Sequence, residues 1–178
     1  KAGYSKSSGG GYFAQTFVGS YAGYSNTSAY DNTFIGGFTG RYTTTGISNT
    51  AVGSGSLYQN TTGSSNVAIG FEALKTTTTN GYNVAVGQGA LMTNTAVGNT
   101  AVGDSAARGN TTGASITAIG NSSLRANTTG PYNVAIGYEA LRYNTTGANN
   151  TASGFQALKV NTTGANNTSV GYTALTAN

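Results

Sequence analysis

The sequence predicts an all-β fold, a parallel β-solenoid or β-roll of about ten coils of 17 residues. Three observations predict it. A glycine ends an A-V-G or A-I-G type triplet at Gly19, Gly36, Gly53, Gly70, Gly87, Gly103, Gly120, Gly137, Gly154 and Gly171, at steps of 17 residues except for one of 16 after Gly87. A short, fixed period is the signature of stacked repeats. Each unit holds two apolar runs too short for a helix, and glycine interrupts them. Val, Ile and Thr recur at the second and fourth positions of the first run, as a strand prefers.

The strict unit is Asn133–Asn149, NVAIGYEALRYNTTGAN, and its residues define positions 1 to 17. Strand alternation sets positions 2 and 4 on one face and position 3 on the other. The bulky pair, Val134 and Ile136, is expected to fill the interior. The small face (Ala68, Ala85, Ala101, Ala118, Ala135, Ala152) is expected to meet the rest of a thin coil or a neighbouring subunit. The glycine at position 15 (Gly46, Gly63, Gly113, Gly130, Gly147, Gly164) ends an NTT turn and is expected to supply a positive φ, with Asn80 as the tolerated exception. In the short coil, Asn94-Thr95-Ala96-Val97-Gly98 occupies the turn, but its likeness to the strand motif leaves a second register open.

The chain divides at residue 40. Residues 1–40 read as an irregular cap or junction, with a Gly9-Gly10-Gly11 lead-in and two variant coils. Those coils carry Phe17 and Phe34 where later ones carry Ala, and Gly23 and Gly40 where later ones mostly carry Leu. Terminal repeats are commonly atypical. Residues 41–178 form the regular array. One coil buries roughly two large side chains, about 1.5–3 kcal/mol each, against about 1–2 kcal/mol per ordered residue. No coil folds alone. Ten coils at ~4.8 Å make a rod roughly 50 Å long.

Composition removes several function classes. The 178 residues include no Cys and no His, so disulfides, thiol nucleophiles and imidazole chemistry are excluded. The four acids, Asp31, Glu72, Asp104 and Glu139, lie on separate coils and suit neither a paired-carboxylate mechanism nor a metal cage. The expectation is a non-enzyme with no catalytic residues, no cofactor and no metal. No apolar run is long enough for a spanning helix, so no membrane insertion is expected in this segment.

The N-(T/V)-A-(V/I)-G unit resembles the SVAIG-type repeat in the head domains of trimeric autotransporter adhesins. Its longer NTAVGxxALxxNTTG form is similar to repeats of phage tail-fibre proteins. The resemblance covers residues 15–178, with a longer period than the adhesin heads because of the NTT turn. It implies a left-handed roll, a homotrimer, and an extracellular, cell-surface or virion location. Neck, coiled-coil stalk and membrane anchor are not in the sequence.

Three outward rows are candidates for function. Position 10 carries Arg41, Lys75, Arg108, Arg125, Arg142 and Lys159, six of the eight basic residues. Stacked at ~5 Å they repel, within a Debye length of ~10 Å. Such a stripe suits an anionic surface glycan or other anionic polymer, with nucleic acid not the expected partner. Its structural alternative is a charged edge that prevents sheet aggregation. Position 6 carries the aromatics Phe71, Tyr138, Phe155 and Tyr172, suited to stacking on sugars or simply to covering the turn. The NTT turns (Asn110, Thr111, Thr112; Asn127, Thr128, Thr129; Asn144, Thr145, Thr146; Asn161, Thr162, Thr163) form a polar ladder. They read as turn hydrogen bonding or as a flat water-ordering array. The functional expectation is a structural or adhesive segment of an attachment fibre, acting by multivalent contact. The alternatives are a filament subunit polymerising end to end and an ice-binding solenoid.

Overall fold

The computed structural model describes residues 14–176, an all-β parallel β-solenoid of about nine turns of about 17 residues. The Gly9–Gly11 lead-in lies outside the described residues. Each coil gives one short strand: β1 (Gln15–Val18), β2 (Asn32–Ile35), β3 (Thr50–Val52), β4 (Val67–Ile69), β5 (Val84–Val86), β6 (Thr100–Val102), β7 (Thr117–Ile119), β8 (Val134–Ile136), β9 (Thr151–Ser153) and β10 (Thr168–Val170). They form one parallel sheet in sequence order. Equivalent residues pair, as in Ala68↔Ala85 and Ala118↔Ala135. Backbone bonds between coils continue outside the strands: Leu57 N–H donates to Ala73 at 3.0 Å and Thr61 N–H to Thr78 at 2.7 Å. The whole circuit is therefore a ladder, which satisfies its backbone without wide sheets.

The strand faces are the reverse of the sequence expectation. Ala135 is 0% exposed, while Ile136 is 42% exposed and Val134 half-buried. The interior is filled from the second run instead, by Leu57, Leu74, Leu91, Leu124, Leu141 and Leu158 at position 9. A coil this thin seats one large side chain per level, and alanine opposite leaves room for it. Those leucines have left-handed backbones, with φ between 48° and 53°. That conformation costs about 1–2 kcal/mol per residue, similar to the ~1.5–3 kcal/mol gained by burying each leucine.

The early coils solve the same packing problem the other way round. Phe34 fills the interior from the strand, and Gly40 takes the leucine position. A methyl on Gly40 would lie 2.6 Å from Cδ2 of Phe34, and one on Gly23 would lie 2.7 Å from the Phe17 ring. Phe17 and Phe34 stack at 5.2 Å. These two coils thus carry a size exchange between positions 3 and 9.

The other half of the interior is polar. Asparagines at position 1 (Asn49, Asn66, Asn83, Asn99, Asn133, Asn150) and position 12 (Asn60, Asn94, Asn110, Asn127, Asn144) are all 0% exposed. The second set links coil to coil: Asn127 Nδ2 donates to Asn110 Oδ1 at 2.7 Å, and Asn144 Nδ2 to Asn127 Oδ1 at 2.8 Å. Both sets also donate to position-15 carbonyls, as Asn133 and Asn144 do to Gly147 at 2.7 and 2.9 Å.

That convergence explains position 15, where the expected positive φ is not found. A Cβ on Gly113 would lie 2.5 Å from Asn110 Oδ1 and 2.7 Å from the Gly130 carbonyl oxygen. Close approach, not backbone handedness, requires glycine there. The left-handed turn residue is position 17: Ser65 (φ 58°), Tyr132 (φ 56°) and Asn149 (φ 58°). In the short coil Asn94–Gly98 forms the turn and Thr100–Val102 the strand, so the alternative register is not adopted. The Ala96 carbonyl accepts from Asn83 and Asn94 at 3.0 and 2.8 Å, as a position-15 carbonyl does.

Candidate functional site

Positions 6, 10 and 11 are exposed or half-buried beside the buried Ala–Leu pair, with position 7 more covered among them, so one side of the rod carries both the basic and the aromatic residues. The six position-10 cations align there, and all are half-buried. They are not a bare positive stripe. Lys75 pairs with Glu72 at 2.6 Å. Arg142 and Lys159 both pair with Glu139, the lysine at 2.7 Å. Gln156 adds a bond to the same carboxylate at 2.8 Å. The hydrogen bond from Lys159 is the main cause holding the Glu139 carboxyl below its ordinary value; burial opposes it, and Gln156 and Arg142 reinforce it.

Arg41 is different. Its guanidinium lies 5.1 Å from the Tyr21 ring, 5.3 Å from Phe38 and Tyr42, and 6.0 Å from Tyr24. These are cation–π distances. No acid pairs with it among the described residues. Tyr42 and Tyr58 meet edge to face at 5.1 Å. Their hydrogen bond raises the Tyr42 phenol, with Arg41 pulling the other way. Position by position, the early coils differ from the strict unit in aromatics at position 7 (Tyr21, Phe38) and position 10 (Tyr24, Tyr58). That departure is the sequence signal for this cluster.

The predicted position-6 row is broken. Tyr138, Phe155 and Tyr172 stack at 5.2 and 5.1 Å with near-parallel planes. Phe71 stands apart, separated by Gln88, Asp104 and Asn121. In the stacked triplet the inner ring faces cover each other, leaving mostly edges outward. The NTT ladder also splits. Asn110, Asn127, Asn144 and Asn161 are internal. Thr111, Thr128 and Thr145 hydroxyls donate to carbonyls of the next coil at 2.9–3.0 Å. Thr112, Thr129, Thr146, Thr162 and Thr163 are exposed.

Two further surfaces stand out. The strand face presents Ile35, Ile69, Ile119 and Ile136, each 38–42% exposed, with Val or Thr beside them at position 2. A notch of about 440 Å³ opens beside Arg41, between Phe38 and Phe71. Among the described residues no three His, Cys, Asp or Glu side chains cluster as a metal would need, and no helix is long and apolar enough to cross a membrane. No protein-family model matches the chain, and neither a curated protein nor a solved structure matches it.

Proposed function

We propose that this protein is a stiff, self-associating segment of an extracellular or virion attachment fibre. In this reading the strand face joins copies of the chain and the cationic–aromatic side is displayed to a surface. The observation that carries the reading is the apolar strand face. A monomeric surface rarely leaves a continuous apolar strip uncovered, and here large β-branched side chains recur on successive coils. The N-(T/V)-A-(V/I)-G motif supports the same assembly, since its likeness to adhesin heads implies a homotrimer. The position-13 threonines spend their hydroxyls on neighbouring coils. That leaves the strand face better suited than the turns for association.

Light scattering is expected to give a mass near three chains, independent of concentration. Ile69→Lys with Ile119→Lys is expected to yield monomers with an unchanged circular dichroism spectrum. A monomeric wild-type protein at high concentration would sink the assembly, and filaments in negative stain would favour end-to-end polymerisation instead. Display predicts binding to anionic glycans that weakens with salt and falls when Arg108, Arg125 and Arg142 are replaced by Ser.

A further inference from the structure

We infer that the notch beside Arg41 is a binding site for a carboxylate-bearing sugar ring, such as one acidic residue of a polysaccharide. Its origin is a break in the repeat. Position 7 carries Phe38 and Glu72 on flanking coils but Gly55 between them, with Ser54 at position 6. A methyl on Gly55 would meet nothing closer than Glu72 Cγ at 3.7 Å, so the missing side chain leaves open space. The result is a recess of about 440 Å³ lined by residues of three successive coils. That volume lies within the range of about 300–1,000 Å³ usual for small-ligand sites.

The lining matches an acidic sugar in two ways. Phe38, Tyr58 and Phe71 give apolar aromatic walls, onto which the C–H face of a pyranose packs. Arg41 and Lys75 supply two cations against one acid, Glu72, which already pairs with Lys75. Arg41 therefore holds the uncompensated charge, and its buried Nε lacks a hydrogen-bond partner. The rings around it hold the guanidinium in place, so little side-chain freedom is lost when a carboxylate binds it. The Ser54 hydroxyl in the lining suits a ring hydroxyl. What sets Arg41 apart among the position-10 cations is its rings: Arg142 lies over the Tyr143 ring alone at 5.1 Å and pairs with Glu139, and Arg108 and Arg125, which also lack an acid partner among the described residues, have no ring at cation–π distance there. The proposal rests on the fibre reading for its biological sense, though its geometry stands without it.

The repeat supplies a control that fills the notch without disturbing the fold. Gln156 occupies position 7 with φ 55°, and Gly55 has φ 68°, so Gly55→Gln places an accepted residue in an accepted conformation. Glucuronic acid, glucose and glucose 6-sulfate would be titrated by nuclear magnetic resonance into the full chain, Gly55→Gln and Arg41→Gln. Expected is glucuronate binding at least tenfold tighter than glucose, weakened tenfold or more in both variants. Undiminished binding in Gly55→Gln overturns the site, and equal binding of glucose overturns the charge argument. Preference for the sulfate ester overturns the carboxylate assignment, and absence of binding by all three sugars overturns the proposal outright. The mass of Gly55→Gln by light scattering is read in parallel. An unchanged assembly with lost binding separates failure of the notch from failure of the fibre reading.

Discussion

Asn127 offers the sharpest test of what holds the coils together. Its side chain is 0% exposed and sits between two equivalents. Nδ2 donates to Asn110 Oδ1 at 2.7 Å and to the Gly130 carbonyl at 3.0 Å, and Oδ1 accepts from Asn144 Nδ2 at 2.8 Å. Asn127→Ala removes all three. At about 1 kcal/mol net per bond the loss is ~3 kcal/mol. Two of the abandoned groups keep a partner: Gly130 still accepts from Asn133, and Asn144 still donates to Gly147. Asn110 Oδ1 keeps none, which adds about 1–2 kcal/mol for an unpaired buried acceptor. The expected cost is thus roughly 4–5 kcal/mol, comparable to deleting a core leucine.

The chain itself provides the comparison. Thr43 and Thr77 occupy the same position in other coils and are 0% exposed. Thr77 donates its hydroxyl to the Asn94 carbonyl at 2.9 Å. Asn127→Thr therefore keeps a polar partner and is expected to cost about 1 kcal/mol less than the alanine variant, since one bond of roughly three survives. Urea denaturation followed by circular dichroism measures both. Amide exchange is expected to rise first around residues 110–144, because each coil touches only its neighbours. Asn127→Ala costing under about 1 kcal/mol, or Asn127→Thr costing as much as alanine, would show that the ladder is incidental to stability.

Other outcomes follow from the same geometry. Ala51→Phe overpacks against Leu57 and Leu57→Gly leaves a cavity, each costing ~2–4 kcal/mol; the double variant reproduces the Phe34–Gly40 arrangement and is expected to recover at least ~2 kcal/mol of the sum, whereas simple additivity in a denaturation cycle would refute the size exchange. Gly53→Ala and Gly171→Ala share a strained backbone, φ 124° and 131°. Only the first meets a neighbouring coil, 2.7 Å from the Gly70 carbonyl, against 3.7 Å to Ala174 Cβ, so it is expected to lower Tm several degrees further; equal Tm losses would assign the cost to φ alone. Glu139 is held below its ordinary 4.5 chiefly by Lys159, so its contribution is full above that pH and is lost as pH falls through the lower folded value. The stability gap between wild type and Glu139→Gln is therefore expected to shrink between about pH 7 and about pH 3, and a constant gap would mean that the carboxylate's ion pairs contribute nothing.

Much of the architecture was legible in the sequence because the period specifies it. A step of 17 residues between glycines, 16 only once, leaves only parallel stacking of equivalent positions, and each strand indeed pairs with its neighbour in that register. The period does not say which side of a three-residue strand faces in. Val134 and Ile136 are the larger side chains, and burial by size predicts them inside. The deciding residue lies six positions on from Ala135: Leu141, whose left-handed backbone turns it into the interior. Propensity gives no warning of leucine at φ 50°, since only tertiary packing makes it favourable. The same blindness misplaced the role of Gly147, where the constraint is an asparagine and a carbonyl from adjacent coils.

The candidate site was harder to see for a related reason. Several groups of the regular rows already have partners within the chain: Asn127 and Asn144 bridge coils, Thr128 bonds a carbonyl, and Glu139 pairs with both Arg142 and Lys159. Identical coils satisfy one another's polar groups, so a perfect repeat leaves little chemistry unspent. Unspent chemistry appears where the pattern fails. Gly55 replaces a side chain between Phe38 and Glu72, and Arg41 sits among four rings without an acid. A shallow, repeated contact gives avidity without selectivity, whereas one recess with a held charge gives selectivity at a single point. A fibre segment that needs both would carry its regular rows for assembly and its irregular coils for recognition. The three coils around Gly55 are where that division is most open to test.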